Sequence, residues 1–174
     1  MPHSYSAALP VAYLVLRFLI LLNRLSGIAI LALLLATLVA EQWTMTALGI
    51  SPTSNIRTVL PGLQAIAGLG LVAVLLNDLV LRRLLAIVET VRWGDAFIAA
   101  NARRLLAIAW ALLGLQLLSL VIAGIGEAVS TPANPIDLDA GFSPSGWLAV
   151  LLTFVLARIF AEGAQMRDDL EGTV

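Results

Sequence analysis

The sequence predicts an all-α, polytopic membrane protein: a four-transmembrane-helix bundle with a long cytoplasmic helical hairpin between helices 2 and 3. Three observations carry that expectation. Of the 174 residues 60% are hydrophobic and only 12% charged, whereas a soluble domain carries about a quarter charged residues. The apolar residues gather into four runs, each about one hydrocarbon core long. The arginines fall in the connections that an alternating topology places on one side of the bilayer. One integral membrane domain over 1–174 accommodates all of this.

The first span is expected at 25–43, free of charge until Glu41 and ending at Trp43, where an interfacial anchor belongs. Before it lies an apolar stretch marked by Arg17 and Arg24, two turns apart on one helical face, which reads as an interfacial lead-in. A signal peptide cleaved near Ala40 is the competing reading. Leu38 occupies a position that cleavage wants small, and no basic region opens the chain, so a retained anchor is expected.

The second span, 61–81, starts at Pro61, a residue suited to a first helical turn, and is stopped by Arg82 and Arg83. Helical periodicity runs on to Trp93, with Gly94 as the stop and Asp95 as a cap for the next helix. Helix 2 is thus expected to be ~50 Å long. The third span, 105–125, continues a helix begun near Asp95, so 82–104 forms the cytoplasmic hairpin. A Pro-containing, acidic connection follows from Gly126 to Gly146. The fourth span, 147–165, opens at Trp147, and a tail, 166–174, ends the chain.

Nine of the ten arginines precede span 1, lie between spans 2 and 3, or close span 4; only Arg57 is on the other side. The positive-inside rule then puts both termini in the cytoplasm.

The chain holds no Cys and one His, His3, so neither a thiolate site, a zinc site of the usual type nor histidine catalysis can be assembled. Asp137 and Asp139 supply too few oxygens for calcium. No phosphate-binding lysine loop, nucleophile elbow or dinucleotide fingerprint occurs, so no catalytic residue, metal or cofactor is expected. Gln116, Ser119 and Thr153 are the most polar groups at depth, better suited to helix–helix hydrogen bonds than to a pathway. Ala29, Ala32, Ala36 and Ala40 form a small-residue face on helix 1, suited to packing within the bundle or to a homo-oligomer seam. Asp78 and Arg158 both fall in the inner half of the bilayer. They are expected either to pair across helices 2 and 4 or to be relieved separately, Asp78 by Arg82 and Arg158 by snorkelling.

Two segments are more particular. One reads Gly94-Asp95-Ala96-Phe97-Ile98-Ala99-Ala100-Asn101-Ala102-Arg103-Arg104-Leu105; the other reads Ile159-Phe160-Ala161-Glu162-Gly163, followed by Met166-Arg167-Asp168-Asp169 and a terminal Thr173-Val174. In these the chain resembles the bacterial membrane family called domain of unknown function 2975. The resemblance implies that Gly94, Phe97, Asn101, Phe160, Gly163, Asp168, Asp169, Thr173 and Val174 are its family positions. The family more often has Asp-Leu-Thr before its last residue, where this chain has Leu170-Glu171-Gly172-Thr173. It also implies the bacterial inner membrane, four spans, no known activity, and a small helix-turn-helix regulator encoded nearby.

The expected function is that of a membrane-bound regulator, not an enzyme. Its hairpin tip and acidic tail would dock such a cytoplasmic factor, without contacting nucleic acid itself. The competing expectations are a small transporter or immunity-type protein, with Gln116 and Ser119 in its cavity, and a structural subunit of a membrane assembly.

Overall fold

The computed structural model of the chain describes residues 8–39, 56–130 and 140–171. These form four helices: α1 (Ala8–Val39), α2 (Ile56–Arg92), α3 (Ala99–Val129) and α4 (Pro144–Glu171). The lead-in and first span merge into one helix, since nothing between Leu9 and Val39 is a stronger breaker than Pro10 in its first turn. The end of that expected span, Trp43 included, lies outside the described residues, as do Ala40, Asp137 and Asp139.

Three of these helices are long and apolar enough to cross a membrane: Leu9–Val39, Ala99–Val129 and Pro144–Leu170. Helix α2 is not among them, and this overturns the four-span expectation. The stretch expected to span, 61–81, is broken by Gln64, Asn77 and Asp78 and by three glycines, and Arg82, Arg83, Glu89 and Arg92 follow it. Pro61 does not start the helix but stands inside it, five residues after Ile56.

The expected bundle is also not closed. Each helix packs on its neighbours in sequence and on no other, so the four stand antiparallel in a row, α1 against α2, α2 against α3 and α3 against α4. The physical reason lies in the faces available. Helix α1 offers α2 a narrow seam of Ile20, Asn23, Gly27 and Ile30: Gly27 lies against Val74, and Ile30 meets Gly70. The remainder of α1 is leucine-rich and exposed. The alanine face of α1 is not that seam; Ala29 and Ala32 are exposed.

A cluster of buried apolar residues, Val80 of α2, Leu105, Ile108 and Ala111 of α3 and Ala157 of α4, knits the last three helices together. Large apolar side chains such as Leu75 (70% exposed), Leu14 (66%) and Leu148 (56%) point outward, while Asn101 is fully buried. That inversion of the soluble pattern is the distribution a lipid solvent favours.

Candidate functional site

The antiparallel order gathers nine arginines into one half of the row, most of them toward its end. At that end α2 stops at a Schellman turn: the Gly94 amide donates to the Val91 carbonyl (3.0 Å) and the Asp95 amide to the Thr90 carbonyl (3.1 Å). Gly94 has φ +88°, where a side chain would be strained, so the glycine expected as the stop is required there.

Asp95 does not cap α3 as expected. Ile98 occupies the N-cap position without any side-chain bond, and α3 begins at Ala99. Asn101 does the organising instead. Its amide nitrogen donates to Thr90 Oγ1 (2.8 Å) and to the Ala96 carbonyl (2.9 Å), and its Oδ1 accepts from Arg104 (2.8 Å). Arg104 also donates to the Ala86 carbonyl (3.3 Å). One buried amide thereby holds the end of α2, the turn and the start of α3, and satisfies carbonyls that would otherwise be orphaned.

Helix α4 closes against this turn. The Phe97 and Phe160 rings lie 5.0 Å apart, and Gly163 faces Phe97 so closely that a Cβ there would sit 2.9 Å from the ring. One turn further on, Arg167 donates to Asp95 at 3.1 Å. Gly94, Phe97, Asn101, Phe160 and Gly163, from two distant segments, therefore meet at one corner. Asp168 and Asp169 follow on the exposed end of α4, and Thr173 and Val174 lie outside the described residues. Trp93, at the tip, is 86% exposed.

The structure does not join Asp78 to Arg158: α3 stands between α2 and α4, whose backbones do not pack on one another. Asp78 pairs with Arg82 on its own helix and approaches Arg24 of α1 at 3.6 Å; Arg158 pairs with Glu162 four residues on, at 2.7 Å. What sequence reading missed is Arg24 and the amide pair beside it: Asn77 donates to Asn23 Oδ1 (3.0 Å), and Asn23 donates to the Val74 carbonyl (3.0 Å). The signal was present in the adjacent polar pairs Asn23-Arg24 and Asn77-Asp78, which stand out in otherwise apolar helices.

At the opposite end the polar groups at depth are engaged locally. Ser119 accepts from the Gly141 amide (2.9 Å), Gln116 packs on Gly146, and Thr153 donates to the Ala149 carbonyl (2.7 Å). Among the described residues no group of three or more metal-ligating side chains converges.

The fold thus defines an all-helical membrane protein with a cationic end built around a buried asparagine. No family model, curated protein or solved structure matches this chain.

Proposed function

We propose that this membrane protein presents the corner made by the α2–α3 turn and the end of α4 as a docking surface for a cytoplasmic protein. The observation that carries the reading is the convergence of Gly94, Phe97, Asn101, Phe160 and Gly163, with Asp95 bridged to Arg167. It makes the turn and the end of α4 one continuous surface, on which Trp93, Phe97 and Asp168 are exposed. Aromatic residues on a rigid support are effective anchors, and the acidic end of α4 suits a basic partner. The resemblance to the family domain of unknown function 2975 supplies a candidate partner, a small helix-turn-helix regulator, and the inner membrane of a bacterium as the location. Nine arginines in this half of the row favour placing it in the cytoplasm.

The test is affinity purification of the tagged chain in mild detergent, with mass spectrometry of what accompanies it. A basic cytoplasmic protein that is retained by the intact chain, and lost both on deleting residues 166–174 and in Trp93→Ala, is the expected result. Equal recovery from all three removes the corner from the reading. The transporter reading gains no support from Gln116 and Ser119, whose contacts are to Gly146 and Gly141 at the edge of the row.

A further inference from the structure

Two grooves flank the arginine-rich half of α2. One, about 530 Å³, lies between α1 and α2 and is walled by Ile28, Leu31, Leu71 and Leu75, with Arg24 and Arg82 at its head. The other, about 470 Å³, lies on the α3 side of α2, with Leu75 and Leu79 below Arg82, Arg83 and Arg104. Asp78, Leu75 and Arg82 line both, so the grooves share a wall and a charged head. Each grades along the helix axis from apolar to cationic: Arg82 stands two turns from Leu75, about 10 Å, and Arg24 one turn from Ile28.

From this we infer that the paired grooves bind one anionic glycerophospholipid, its phosphate held at Arg82 and Arg83 and its acyl chains lying along α2. Charge complementarity selects that occupant. Arg24, Arg82, Arg83 and Arg104 line the grooves with a single carboxylate, Asp78, which pairs with Arg82 and approaches Arg24, so three positive charges are uncompensated at the head of the grooves. Asp78 is no substitute for a ligand: it is largely buried, its Oδ1 accepts no hydrogen bond, and its one charge competes for the arginines without balancing them. Arg104 is fixed from behind by Asn101 and the Ala86 carbonyl, which orders its guanidinium before any ligand arrives. A phosphodiester matches such a fork of guanidinium donors, and only an amphiphile also covers Leu71, Leu75, Ile28 and Leu31. Basic recesses between membrane helices beside the cytoplasmic leaflet are suited to anionic headgroups. The inference rests on lipid exposure of the helices and is independent of the docking corner.

The experiment uses the full chain purified in a neutral detergent, read by native mass spectrometry and thermal unfolding. Phosphatidylglycerol, phosphatidylcholine or inorganic phosphate is added to separate samples. Phosphatidylglycerol alone is expected to persist as an adduct and raise the unfolding midpoint. Arg82→Gln with Arg83→Gln should weaken that binding at least tenfold, while Arg103→Gln with Arg158→Gln, at the α3–α4 groove, should leave it unchanged. Asp78→Asn should strengthen it several-fold, a direction that a folding defect cannot mimic, so it decides the matter if the arginine variant fails to fold. Equal retention of phosphatidylcholine overturns the inference, as does equal stabilisation by inorganic phosphate, loss of binding in the control pair, or no gain in Asp78→Asn.

Discussion

Asn101 is the residue on which most depends. Its side chain is fully buried and contacts groups from α2, the turn and α3. Replacing it with leucine, of similar size, removes the shorter of Arg104's two hydrogen bonds and leaves the Ala96 carbonyl without its side-chain donor. A loss of about 3 kcal/mol is expected, since each buried polar group left unsatisfied costs about 1–3 kcal/mol. Thermal unfolding in detergent checks this, and Asn101→Leu as stable as the parent would contradict the network. The sequence marked Asn101 only through family resemblance. That it replaces Asp95 as organiser of the turn was not legible, because a capping residue is chosen by local propensity whereas a buried amide is chosen by three converging segments.

Between elements, the tie from α4 to the turn combines an aromatic contact with an exposed ion pair. Asp95 and Arg167 are each about half exposed (52% and 43%), so their coupling is expected to be small, about 0.2–1 kcal/mol in a double-mutant cycle, and to fade with added salt. Coupling well above that range would place the pair in a drier setting than the structure gives it. Helix α1 touches only α2 and is joined to it by Gly27 against Val74, by the Asn23–Asn77 amide pair and by Tyr13, whose ring lies 4.7 Å from the Arg17 guanidinium and 5.2 Å from that of Arg92. A chain without native cysteine makes this neighbourhood testable. Cysteines introduced at Asn23 and Asn77 are expected to cross-link readily, and cysteines at Asp78 and Arg158 not at all, as read by gel mobility. A bundle closed by α2 and α4 would give the reverse for the second pair.

On the scale of the whole molecule, the row has two broad apolar faces and one cationic end, so its surroundings rather than an interior core solvate most of its leucines. Single-cysteine labelling with a membrane-impermeant maleimide tests the direction of that end. Trp93→Cys is expected to react in inverted membrane vesicles and to stay unlabelled in intact cells. Labelling from outside would reverse the orientation and remove a cytoplasmic partner from consideration.

What the sequence determined by itself is local. Apolar runs about one hydrocarbon core long made the described segments helical and suited to a bilayer. Gly94 marked the end of α2 because only the residue nearby decides a left-handed turn. The gathering of arginines toward one end also followed from their order along antiparallel segments. Only the tertiary structure decided that the helices stand in a row, and that Asp78 turns to Arg82 and Arg24 while Arg158 turns to Glu162. Those outcomes depend on which helix faces meet, a property of several segments at once. Hydropathy along one segment reports how apolar a helix is but not which neighbour its few polar groups will find.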